Sequence, residues 1–466
     1  MTATIFSTLT RIRHCSGRKT VILIFLLCLP VSGFTADLPD SATGLYFPSF
    51  SLYGRNFEGM VYYMQSAGLN LAVLHAKDPL GRLFWRSKNE IAKNMAASLS
   101  YTPLEKAIPF LKKNGIWTAA KLDVFQDSLL TKHHPEMGAM DQVTGELWAD
   151  RKGLHWANPY DQRVWDYTIE LCLELIALGV DEIQFDYIRF PSDGDLSTIE
   201  YPVTLPDTSP AECIGRFLAY ANSKLKPSGV ILSVDLFGLT AWKTDDFGVG
   251  QVLEFIAPHV DVICPMLYPS HFPENFLGLQ DPEQYPYKIM KSSLEEMSKR
   301  TDKAIRPWIQ GFWYTPEEID AQLQGVADCR VQSWTVWHPS EKYADTFRAL
   351  EERSGMTFPD PEFYPSLDDL RDQADLVLQG RMKIVNQTSY HGGYSIISLD
   401  ESVEGIINEF DTIMEVVSSL DESVMDKILS QRGFSLSRWT NYTTKATHVA
   451  QLVIQDLDLD PRRMRP

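Results

Sequence analysis

The sequence predicts an α/β protein, a (β/α)8 TIM barrel with a small C-terminal helical module. Three observations carry that expectation. Eight short β-rich runs lie between residue 44 and about residue 355, amphipathic helical stretches separate them, and no glycine-rich phosphate loop follows the first run.

The runs are Gly44 to Phe50, Leu69 to Lys77, Ile116 to Phe125, Val180 to Phe190, Gly229 to Leu239, Val260 to Tyr268, Ala304 to Trp313 and Arg330 to Trp337. Between them, Pro103 to Lys113 stops at Asn114-Gly115, and Asp161 to Leu178 stops at Gly179. Thr315-Pro316-Glu317-Glu318 reads as an N-cap with proline first and acids in the first turn. Strand and helix alternating over this length imply parallel strands with right-handed crossovers, and eight units close a barrel. An open doubly wound sheet is the alternative, weakened by the missing phosphate loop.

The barrel is expected to occupy residues 44–355 of 466. Residues 1–33 read as a signal peptide: Arg11, Arg13, Arg18 and Lys19 precede the apolar run Val21 to Leu29, which is too short to span a bilayer. Cleavage is expected near Val31-Ser32-Gly33 or Ala36, and Leu27 is too bulky to favour lipidation at Cys28. The expected destination is therefore periplasm, cell envelope or exterior, with no stable membrane span after processing. Residues 356–466 begin with Pro359, Pro361 and Pro365 and read as a linker and helical module, with helical patterns at 367–382, 401–432 and 436–457.

Losing the leader removes four basic and no acidic residues, which takes the formal charge from -18 to -22. Such a surface repels phosphate, so nucleic acid and anionic lipid are poor partners. Cys172, Cys213, Cys264 and Cys329 are spaced for neither a metal pair nor a disulfide framework, and they read as packing residues.

Chemistry in such a barrel belongs at the C-terminal strand ends. In the fourth run, Gln184 and Asp186 share one face, while Ile183, Phe185 and Tyr187 share the other. The fifth run places Ser233 and Asp235 together, with Asp235 as late in its run as Asp186. A carboxylate inside an apolar strand is costly unless it is paired or used. Two of them on neighbouring strands meet the requirement for glycosidic hydrolysis, in which one protonates the leaving oxygen and the other attacks or activates water. Lys121 and Asp123 have matching parity on the third run, with Asp127 just beyond; a salt bridge tying strands together would explain them equally well.

Rim aromatics include Tyr46, Trp148, Trp156, Tyr187 and Trp242. Tyr268, Trp313, Trp334 and Trp337 add to them, some as sugar platforms and others as core. His75, His271 and His338 near strand ends invite a zinc reading, but no His-x-His or His-Glu-x-x-His spacing supports it. No metal or cofactor is called for.

The segment Val180-Asp181-Glu182-Ile183-Gln184-Phe185-Asp186-Tyr187-Ile188-Arg189-Phe190-Pro191 closely resembles the signature of the bacterial putative glycosyl hydrolase domain family, a barrel group akin to α-amylase-like enzymes. Ser233 to Gly238, Pro265 to His271 and Gln310-Gly311-Phe312 support the match, which covers the barrel and not the tail. The resemblance implies Asp186 as nucleophile and Asp235 as acid/base, at a position where many related barrels carry glutamate. Sugar contacts are expected from Lys121, Asp123, Gln184, Tyr187 and Arg189, and from Tyr268, His271, Gln310, Trp313 and Trp337. The expected activity is cleavage of glycosidic bonds in an extracellular or envelope polysaccharide. The alternative is a barrel that binds carbohydrate without turnover.

Overall fold

The computed structural model describes residues 38–52, 54–99 and 102–358, and a short antiparallel pair of strands, Lys383–Val385 with Ser395–Ile397. The leader and the helical patterns expected in the tail lie outside the described residues.

Eight parallel strands form the barrel: β1 (Thr43–Phe47), β2 (Leu71–Lys77), β3 (Trp117–Asp123), β4 (Glu182–Asp186), β5 (Ile231–Phe237), β6 (Val262–Met266), β7 (Trp308–Gln310) and β8 (Trp334–Trp337). Each pairs with the next, and β8 returns to β1 through Thr43↔Trp334 and Leu45↔Val336, so the sheet closes. All eight expected runs are strands, shorter than read because turn residues flank them.

The seventh run is broken. Ala304–Ile305 pairs with β6, but Pro307 has no N–H to donate, and the strand resumes only at Trp308. Arg306 keeps its ladder contact by donating its N–H to the Ile263 carbonyl at 2.8 Å.

Helices close each unit for identifiable reasons. In α1 (Gln162–Leu178) the Asp161 carboxylate caps the Arg163 N–H, and Gly179 ends the helix at φ 101°, a left-handed backbone that suits glycine. Capping boxes start α2 (Pro210–Leu225) through Ser209 and Glu212, and α3 (Pro316–Asp328) through Thr315 and Glu318. Among the described residues no helix is long and apolar enough to cross a membrane.

Strand alternation separates two cores. Outward-facing Leu45, Leu74, Ile183, Phe185, Val234 and Ile263 pack under the helices, and inward-facing Leu71, Val73, Ala119, Ile231, Val262 and Trp308 fill the lumen. At the β1–β2 seam, a Cβ on Gly44 would lie 1.8 Å from the Leu71 carbonyl oxygen, so only glycine fits that approach. The long loops after β3 and β4 are stitched together by the pairing of Met140–Asp141 with Ile199–Glu200, which builds up one side of the mouth. Cys172, Cys213 and Cys264 are buried and Cys329 is half-buried, all as free thiols.

Candidate active site

The carboxylates meet because of register. Asp123 is level with Asp186 across β3 and β4, and Phe185 is level with Val234, so the next step along β4 and β5 brings Asp186 beside Asp235. Period two then turns all three inward at the C-terminal rim.

Lys121 ties the first two together. Its ammonium lies 2.6 Å from Asp123 Oδ1 and 2.7 Å from Asp186 Oδ2. Burial works against the charge on Lys121, but the two aspartates hold it well above the usual lysine range. Burial also pushes the Asp123 carboxyl up, yet Lys121 and His75 outweigh it and keep Asp123 below the usual carboxylate range. His75 Nε2 is 3.3 Å from Asp123 Oδ2, and its Nδ1 is 2.8 Å from the Tyr46 hydroxyl. With Nε2–H donating to the carboxylate, the Tyr46 O–H donates to Nδ1. A chain of polar contacts thus runs from Tyr46 on β1 to Asp186 on β4. A one-residue irregularity between His75 and Lys77 in the β2–β3 ladder lies in the middle of it.

Asp186 stands at the open end of that chain, its side chain 14% exposed and its Oδ1 accepting the Tyr187 N–H at 2.7 Å. Asp235 is enclosed, only 1% exposed. Its Oδ1 accepts from Gln184 Nε2 and from Trp308 Nε1, each at 2.6 Å, while its buried Oδ2 meets no partner among the described residues. Burial first, and the neighbouring Asp186 charge second, push the Asp235 carboxyl up to about 8 against the opposite pull of Lys121, Trp308 and Gln184. One aspartate therefore sits in an ion pair while its neighbour is held protonated at neutral pH, the asymmetry that acid and nucleophile roles require.

Beneath lies a second network. The Arg306 guanidinium grips Glu182 through both terminal nitrogens, and its Nη2 also donates to Gln184 Oε1 at 3.2 Å. Glu182 further accepts from Ser233 Oγ and from Trp117 Nε1. Gln184 is thus fixed from below and donates to Asp235 above, so its amide is consumed internally and positions Asp235. Gln310 is likewise enclosed, accepting from Ser270 Oγ at 2.9 Å and donating to the Phe312 carbonyl at 3.2 Å. Both glutamines are fully buried, with their amides turned to internal partners.

Aromatic walls flank the acids. Tyr268 stacks on Trp337 at 5.4 Å and meets Phe312 and His271 edge-on, while Trp313 beside them is 74% exposed on a left-handed backbone, φ 63°. On the other side is Tyr187, which strict alternation turns outward. Its φ of 50° ends the strand, and its ring faces Lys121 at 5.9 Å instead. The Arg189 guanidinium lies 5.0 Å from that ring and 4.8 Å from the rings of Trp156 and Phe237. Trp148 and Trp156 are buried and structural, and Asp127 caps a short helix and pairs with Lys77 at 3.0 Å. Of the histidines that suggested zinc, only His75 joins the acids. Among the described residues no group of three or more His, Cys, Asp or Glu is arranged to hold a metal ion.

Sequence reading left Tyr46, His75, Trp308 and Arg306 without roles beside the acids. Glu182 was the available signal: its parity matches Gln184 and Asp186, so a buried carboxylate there demanded a cation from another strand.

A family model described as a putative glycosyl hydrolase domain matches residues 44–343, a span that takes in all eight strands except Thr43 at the start of β1. The chain belongs to the putative glycosyl hydrolase domain family. Membership places the barrel among glycosidases, hydrolytic enzymes of O-glycosyl bonds. The PgaB (BpsB) glycoside hydrolase domain from Bordetella bronchiseptica is similar over 69% of this chain and 100% of its own, at 13% identity and a TM-score of 0.51, which shows the shared fold. A hypothetical protein from Ruminiclostridium thermocellum is 30% identical over 41% of this chain and 96% of its own, with a TM-score of 0.38. A chitobiase from Flavobacterium johnsoniae is 11% identical over 91% of this chain and 74% of its own, with a TM-score of 0.46. No curated protein matches.

Proposed function

We propose that this glycosyl hydrolase domain cleaves glycosidic bonds in an extracellular or envelope polysaccharide by a two-carboxylate mechanism. The observation that carries the reading is the pairing of an ion-paired Asp186 with an Asp235 pushed up to about 8 beside it. Asp235 donates its proton to the leaving glycosidic oxygen while Asp186 attacks the anomeric carbon or activates a water, and the C–O bond to the leaving sugar breaks. Lys121 holds the Asp186 carboxylate in position through their 2.7 Å ion pair. Tyr268, Trp337 and the exposed Trp313 offer flat faces for the C–H surfaces of sugar rings. The basic leader followed by a short apolar run supports export, and hence a substrate outside the cytoplasm.

Purified protein is expected to release reducing sugar from an envelope or extracellular glycan. Asp186→Asn is expected to abolish that release with its melting temperature little changed, because Lys121 keeps Asp123. Activity surviving in that variant would remove Asp186 from the mechanism. The enclosure of Asp235, 1% exposed, favours a second reading in which the barrel binds carbohydrate without cleaving it. Glycan binding with no cleavage across a broad panel would establish that reading instead.

A further inference from the structure

Arg189 is the half-buried cation at the mouth whose surroundings are unexplained by packing alone. Its guanidinium lies against the rings of Trp156, Tyr187 and Phe237, two residues beyond the turn that follows Asp186. Only Nη1 is used, donating to the Phe190 carbonyl and to Ser192 Oγ, both at 3.1 Å. Among the described residues, Nε and Nη2 bond to nothing, and neither is sealed from solvent.

A guanidinium partly withdrawn from water ordinarily takes a carboxylate partner. The acids that act on Arg189 are Asp186, Asp193 and Asp150, and none comes within ion-pair reach. Asp186 is held by Lys121, and Asp150 accepts from Gln126, Trp156 Nε1 and the N–H groups of Lys152 and Leu154. Asp193 accepts the Arg151 N–H at 3.4 Å. Lys152 is close enough for the two cations to repel each other, while Asp150 and Asp193 act on both from a distance. With three rings close around the guanidinium and only Nη1 hydrogen-bonded, the Nε–Nη2 edge has no partner among the described residues, and it is the side-on fork that matches the two oxygens of a carboxylate.

We propose that the Nε–Nη2 edge of Arg189 binds the carboxylate of an acidic sugar, so that the substrate is a uronic-acid-type anionic glycan. This rests on the reading of the mouth as a carbohydrate site and adds its substrate class. A neutral cation–π staple would leave glycan choice indifferent to charge, whereas a fork built for a carboxylate makes charge decide it.

The test uses the full chain on an array of uronate-containing glycans, their methyl esters and neutral glycans, with affinities measured for the glycans bound. Wild type is expected to bind the acid form about ten- to a hundredfold more tightly than its ester, the range for a charged hydrogen-bonded contact. Arg189→Gln is expected to abolish the preference for the acid over the ester, and Arg189→Lys to recover only part of it. Preference for neutral glycans, binding of no acidic glycan, or an acid preference that survives in Arg189→Gln would overturn the proposal. Binding is read without turnover, so an acid-selective protein that cleaves nothing would sink the hydrolytic reading and leave this one standing.

Discussion

At Asp235, burial and the Asp186 charge act in the same direction, and the sign of the consequence follows. A carboxyl near 3.8 in the unfolded chain and about 8 in the folded one binds its proton more tightly when folded. Its contribution to stability is complete below about pH 4 and is lost as pH rises through about 8. Asp235→Asn keeps an oxygen to accept from Gln184 and Trp308 but cannot ionise. Its melting temperature is expected to equal or exceed that of wild type by a few degrees at pH 8 to 9, and to vary less between pH 4 and pH 9. Under the proposed mechanism, activity of wild type is expected to fall on the alkaline side as Asp235 loses the proton it would donate. A rate still flat at pH 10 would show that Asp235 is not the acid. The sequence located both aspartates and turned them to the same side, because period-two alternation is local. It had no means of setting their protonation, because desolvation depends on Trp308, Gln184 and Lys121, which reach Asp235 from other strands.

Between elements, the decisive contact is Arg306 on Glu182, which joins the broken seventh strand to β4 across 124 residues of chain. Both side chains are fully buried, at 1% and 0% exposure. Removing one partner leaves an uncompensated charge in the lumen, so Arg306→Met is expected to cost about 3–5 kcal/mol in urea denaturation. Adding Glu182→Gln to that variant removes the stranded charge and keeps an acceptor for Ser233 and Trp117, and it is expected to restore at least half of the loss. Equal instability of the single and double variants would mean that packing, and not the ion pair, sets the cost. The strand boundaries show the same division of information. Gly179 and Asp161 bounded their helix legibly because caps are chemically local, whereas the interruption at Pro307 was hidden within an apolar run. Tyr187 departed from alternation because its left-handed backbone turned the chain, a feature with no signature in residue type.

For the whole molecule, closure of β8 onto β1 completes the barrel within residues 43–337, and Phe358 is the last buried side chain described. A chain ending at residue 358 is therefore expected to unfold cooperatively within about 3 °C of the full chain, as a loss of no more than about 1 kcal/mol implies. A non-cooperative melt would make the remaining residues part of the barrel's stability. The sequence by itself determined the eightfold alternation, the inward face of Lys121, Asp123, Asp186 and Asp235, and the family, since each is written in short-range periodicity or in one contiguous motif. Only the tertiary structure decided that Lys121 bridges two acids, that Asp235 is the protonated one, that Gln184 and Gln310 are spent on internal bonds, and that Arg189 keeps a free edge. These are matters of distance and desolvation between strands far apart in the chain, and both come into being only when the barrel closes.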